Sequence, residues 1–186
     1  MPESIKLGWL TRIARISRVD IYVHWSTFLI GALILLGAVR KPLQTLVGLT
    51  GYLAILIVHE SGHLIIARRR GYDALSIELY PVFGIARFER PRSRFDRSLI
   101  AWGGVLAQTI VSLPIALYVA AFGYTPWETL NIALVILGAA SLCVAAFNLL
   151  PFRPLDGSVA WDLIPAFLER RRLRKNRRVV PYRSSR

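Results

Sequence analysis

The sequence predicts an all-α polytopic membrane protein: about four transmembrane helices, with a short membrane-associated β-hairpin between the second and the third. Three observations lead there. The 186 residues are 54% hydrophobic, with a mean hydropathy of +0.46, too apolar for an ordinary soluble domain of this length. A spanning helix needs about 20 mostly apolar residues, and four stretches meet that need, at 22–39, 43–67, 98–122 and 130–150. The basic residues are also segregated. Of 24 Lys and Arg, all but Arg40 and Lys41 lie before the first stretch, between the second and third, or after the fourth. Four crossings put those three groups on one side, and the positive-inside bias makes it the cytoplasmic side, with both termini inside.

Residues 1–21 form a cytoplasmic amphipathic segment, with Ile5, Leu7, Trp9, Leu10, Ile13 and Ile16 set among basic residues. The apolar run that follows, IYVHWSTFLIGALILLGAV, lacks a small-residue cleavage site and is expected to stay as the first span. The connection at 40–42 is tight, so spans one and two should be neighbours. The stretch 72–97 is too polar to cross. Within it Leu75, Ile77 and Leu79 alternate with Ser76, Glu78 and Tyr80, PVFG supplies a turn, and IARFER can return as a second strand. Cys143 is the single cysteine, which excludes an intrachain disulfide framework. The net charge of +13 raises the question of nucleic acid. No aromatic-studded basic sheet pattern accompanies it, and RRRLRKNRR in the tail 166–186 reads instead as a topology signal and an anchor to anionic lipids.

The second span contains HESGH, residues 59 to 63. On a helix, residues four apart lie on one face, so His59 and His63 can share a metal ion, with Glu60 beside them to move protons. This is the HExxH arrangement of zinc hydrolases. Each ionisable group at mid-bilayer costs roughly 2.5–3.5 kcal/mol on insertion scales, so their presence in an apolar helix marks function. Catalytic zinc wants three protein ligands and one open position. His24 is the only other histidine. The favoured third ligand is Asp156, in NLLPFRPLDG at the end of the fourth span, where two prolines and a glycine forbid regular helix. Arg68 follows His63 by five residues, about 7.5 Å of rise, which sets the metal one or two turns in from the cytoplasmic face.

HESGH in one span and NLLPFRPLDG at the end of a later one resemble the site-2 protease family of intramembrane zinc metalloproteases. The family's Asn-x-x-Pro-x-x-Pro-x-Asp-Gly motif is matched by Asn148, Pro151, Pro154, Asp156 and Gly157. VHWS at 23–26 and IELYPVFG after the second span are also similar. The resemblance implies an intramembrane metalloprotease core over 22–165, with His59, His63 and Asp156 holding one Zn²⁺ per chain and Glu60 as the general base. It makes Asn148 the residue that holds substrate or stabilises the oxyanion. It further implies a membrane-embedded protein substrate cut in regulated intramembrane proteolysis, a multi-pass location in a prokaryotic cell membrane, and no nucleic-acid partner. The chain departs from the family's Gly-Pro-x-x-Asn pattern in the third span, where Val105 and Gln108 stand in GGVLAQ. Within these residues nothing resembles the PDZ or CBS modules of some relatives. Two other readings stay open from sequence: a catalytically inactive membrane scaffold, and a metal-binding transporter component.

Overall fold

The computed structural model describes residues 9–81 and 83–179. Ile5 and Leu7 of the amphipathic segment and residues 180–186 of the basic tail lie outside the described residues. The elements in chain order are β1 (Leu10–Ile16), β2 (Val19–His24), α1 (Trp25–Gly37), α2 (Pro42–Arg69), β3 (Ala74–Leu79), β4 (Gly84–Phe88), α3 (Arg94–Phe122), α4 (Glu128–Val135), a π-helical turn (Ile136–Ala140), α5 (Ser141–Asn148), α6 (Gly157–Ala160) and α7 (Leu163–Val179).

Among the described residues, three helices are long and apolar enough to cross a membrane: α2, α3 and the continuous run Glu128–Asn148. Proline in the first turn opens α2, where its missing N–H costs nothing, and Arg68 and Arg69 close it against the negative end of the helix dipole. Ser93 caps α3 by accepting from the Asp96 N–H at 3.0 Å, and Gly123, at φ 75°, ends it. α2 and α3 cross closely because both present glycine at the crossing. A Cβ on Gly62 would collide with the Gly103 carbonyl.

The segment expected as a first helical span, 22–39, is divided between two kinds of structure. Its start belongs to β2, and α1 has 13 residues, about 20 Å of helix against a hydrocarbon core of about 30 Å. His24 makes the transition, its Nδ1 accepting from the Ser26 N–H at 3.3 Å.

The predicted hairpin is present as β3 and β4, but it is half of a larger sheet, so the fold is mostly helical rather than all-α. The order is β1-β2-β3-β4, with β2 parallel to β3 and the outer pairs antiparallel. Ser17 and Arg18, at φ 49° and 65°, make the two-residue turn between β1 and β2. Arg68 at the end of α2 donates to the Ser17 carbonyl at 2.5 Å. Val19, Ile21 and Val23 alternate onto one face with Ile77 and Leu79 and pack on Leu56 and Leu64 of α2. The sheet is thereby fastened beside HESGH. On its other face Glu78 is buried and ion-paired with Arg87.

Candidate active site

The last helical residues of α5 lead into a compact loop, 149–156, that turns back under α2. Gly157 permits this turn, since a Cβ there would strike the Leu149 carbonyl. Trp161 Nε1 donates to the same carbonyl at 2.7 Å, and Trp102 of α3 donates to the Ala160 carbonyl at 3.0 Å. The loop therefore has anchors on both sides, and it carries Asp156 to the face of α2 where the histidines stand.

His59 Nε2 lies 2.9 Å from Asp156 Oδ2, His63 Nε2 lies 3.2 Å from the same oxygen, and the two imidazole Nε2 atoms are 3.2 Å apart. His59, Glu60 and His63 are all buried, while Asp156 is partly open to solvent. The structure thus brings together the three predicted ligands, from one helix and a loop 97 residues apart in sequence. His63 Nδ1 donates to the Ile100 carbonyl at 2.8 Å, which leaves its Nε2 as the lone-pair nitrogen. His59 Nδ1 lies 2.9 Å from Gln108 Oε1. Two imidazole nitrogens and a carboxylate oxygen thus converge on one point, a donor set that fits a divalent metal ion.

Glu60 rests on β4. Its Cγ and Oε1 lie against Gly84, where any side chain would displace them. The sheet thus holds the carboxylate that the helix supplies. Gly104 of α3 faces the histidines: a Cβ there would come within 2.5 Å of His63 Nε2 and 2.7 Å of His59 Nε2. Around these groups runs a cleft of about 760 Å³, lined among others by His59, Glu60, His63, Phe83, Asn148 and Asp156. Asn148 borders the cleft, with its amide turned back to donate to the Val144 carbonyl at 3.2 Å. His24 is not in the cluster. It bonds Ser26 at 2.6 Å and stacks on Tyr80 with ring centroids 5.2 Å apart.

Sequence reasoning missed the contributions of Gly62, Gly103, Gly104 and Gln108, and the grip of β4 on Glu60. The adjacent glycines of GGVLAQ in an apolar span carried a signal for close helix approach. Nothing local announced which helix they would meet.

Comparison with known proteins gives concordant findings. The chain is 31% identical over 193 residues to Rip3 of Mycobacterium tuberculosis, covering 92% of this chain and 45% of Rip3. It is 29% identical over 171 residues to sll0528 of Synechocystis sp., covering 82% of this chain and 44% of that protein. Both bear zinc metalloprotease names, and the chain spans less than half the length of each. No protein-family model matches the chain. The fold is similar to that of the site-2 protease from Methanocaldococcus jannaschii, with a TM-score of 0.61 at 21% identity over 84% of this chain and 71% of that one. The fold is mostly helical, with helices long and apolar enough to cross a membrane, and it brings together a donor set that could hold a metal ion. In sequence the chain is similar to zinc metalloproteases, and in fold to a site-2 protease.

Proposed function

We propose that the protein is a zinc-dependent intramembrane endopeptidase that cuts a peptide bond within a transmembrane segment of another membrane protein. The observation that carries this reading is the convergence of His59 Nε2, His63 Nε2 and Asp156 Oδ2 beside Glu60, on a cleft among apolar helices. A bound zinc ion supplies Lewis acidity to water and to a carbonyl oxygen near neutral pH. The chain's own groups do the rest. Glu60 takes the proton from the attacking water and passes it to the leaving amine, its carboxylate packed against Gly84. Asn148 offers its amide to the charge that develops on the carbonyl oxygen once it turns from Val144.

A helical substrate hides its carbonyls in i→i+4 bonds and must unwind locally. Of the two sheet edges, β1 carries a bulge and the charges of Arg12 and Arg15, which discourage pairing. β4 is the edge beside Glu60, and an unwound substrate strand adds there. A photoreactive residue at Phe83 in a Glu60→Gln background should capture a membrane-spanning test substrate. Equal capture from Ile110, exposed on the outer face of α3, would count against this.

Four crossings, with both termini cytoplasmic, fit the chain if β2 and α1 share the first one. Six strand residues add about 20 Å to the helix, and together they exceed the hydrocarbon thickness. At the far end Lys41 pairs with Glu128 at 2.5 Å and ties the α1–α2 turn to the start of α4. A bacterial or archaeal cell membrane, regulated intramembrane proteolysis, and anionic lipids as partners of the tail complete the reading. The transporter alternative calls for donor clusters in series. Among the described residues His59, His63 and Asp156 form a single one.

The deciding experiment is metal content and cleavage by the detergent-purified protein. About one zinc per chain, as a three-ligand catalytic site requires, with zinc-dependent cleavage of a membrane-spanning peptide would support the proposal. Bound zinc without cleavage of any such peptide would turn it toward the scaffold.

A further inference from the structure

Gln108 is 1% exposed and stands at the junction of α2, α3 and α5. Its Nε2 donates to the Ser141 carbonyl at 2.8 Å, just past the π-helical turn. A carbonyl oxygen only accepts, so this bond orients the amide: the nitrogen must face Ser141, and Oε1 must face His59. Oε1 lies 2.9 Å from His59 Nδ1 and can itself only accept. That nitrogen therefore carries the proton, and the lone pair falls on His59 Nε2, the atom pointed at Asp156 and His63.

We propose that Gln108 is the positioning residue for His59, fixing its tautomer and ring plane so that Nε2 is the metal-facing atom. His63 reaches the same state by a backbone carbonyl, at Ile100. The pair is thus locked by two independent acceptors on α3, one of them a side chain whose orientation is set by α5. Gln108 occupies the position where the family pattern has asparagine. Here its amide nitrogen and oxygen both face protein partners and it does not line the cleft, which removes it from substrate contact. The proposal rests on reading the cluster as a metal centre only for its effect on affinity, because the hydrogen bond itself exists with or without the ion.

The test uses the full chain in detergent, labelled with ¹⁵N-histidine, which gives three residues to assign. In metal-free protein, His59 should show a hydrogen-bonded Nδ1–H. Gln108→Met should move that proton upfield while leaving the His63 Nδ1–H in place. Chelator competition with zinc alone should then give 10–100-fold weaker binding in Gln108→Met, the range for lost outer partners of a ligand. Gln108→Glu, protonated when buried, keeps an acceptor toward His59 and a donor toward the Ser141 carbonyl, and should bind zinc more tightly than Gln108→Met. Ser112→Ala, which loosens a contact to the Gln108 backbone only, should leave the His59 signal unmoved. An unprotonated His59 Nδ1 in the wild type overturns the proposal without any variant. So does a Gln108→Glu protein as impaired as Gln108→Met, which would mean packing alone. A wild type that binds no zinc yet shows the bonded Nδ1–H would sink the metal-centre reading and leave the role of Gln108 standing.

Discussion

The proposed base, Glu60, and the proposed ligands, His59, His63 and Asp156, have separable tasks, and substitution should separate them. Glu60→Gln keeps the shape and loses the base. It should retain zinc while cleavage falls by about 10²–10⁴-fold, the usual contribution of a positioned general base. His59→Ala and Asp156→Ala should both lose zinc, measured as metal per chain. Loss with His59→Ala alone would leave the protease in play with its third ligand wrong. Gly104 gives a sharper test of geometry. Gly104→Ala inserts a methyl group 2.5 Å from His63 Nε2, so metal content should collapse although alanine favours the helix. Gly31→Ala in α1 meets nothing within 4 Å and should be neutral or stabilising by up to about 1 kcal/mol. If the two variants behave alike in zinc content, the crowding at Gly104 is not what keeps the imidazoles in place.

At the level of elements, the turn between β1 and β2 holds two non-glycine residues in the left-handed region, Ser17 at φ 49° and Arg18 at φ 65°. Replacing both by Asn-Gly relieves a cost of about 1 kcal/mol or more, since that dipeptide suits a turn of this hand. The Arg68 bond goes to the Ser17 backbone carbonyl and survives the change. Thermal unfolding in detergent should move upward, and an unchanged or lowered midpoint would contradict the turn. This hairpin was also the element least legible in the sequence. VDIYVH alternates with a strict period of two, yet it runs directly into an apolar helix, and a hydropathy window merges the two. β3 and β4 were readable because polar sequence isolates them on both sides. That β3 pairs with β2 of an N-terminal hairpin across α1 and α2 depends on contacts more than 50 residues apart, which no local pattern encodes.

For the whole molecule, surface charge and helix packing each yield a test. α7 carries Arg171 and Arg172, both exposed, next to the apolar side chains Leu168 and Leu173. Helix and charge suit an anionic membrane surface, where each basic residue contributes about 1 kcal/mol. Arg171→Gln with Arg172→Gln should weaken binding to anionic vesicles by on the order of thirtyfold, and leave neutral vesicles indifferent. Equal loss on both would place the effect in folding. The crossing of α2 and α3 at Gly62 and Gly103 is the corresponding internal constraint. Gly62→Val must push the helices apart and should cost both stability and metal.

The sequence by itself determined the candidate site: HESGH sets two imidazoles on one helical face with a carboxylate beside them, and NLLPFRPLDG delivers an aspartate from a chain that cannot stay helical. It also determined that the protein is built of apolar helices, because hydropathy and spacing are local properties. The tertiary structure decided which acceptors orient the histidines, which strand packs against Glu60, and why glycine stands at 62, 103 and 104. Those roles belong to surfaces that meet only when α2, α3, α5 and the sheet are packed. Their physical basis is the distance between groups far apart in sequence, and that distance exists only in the fold.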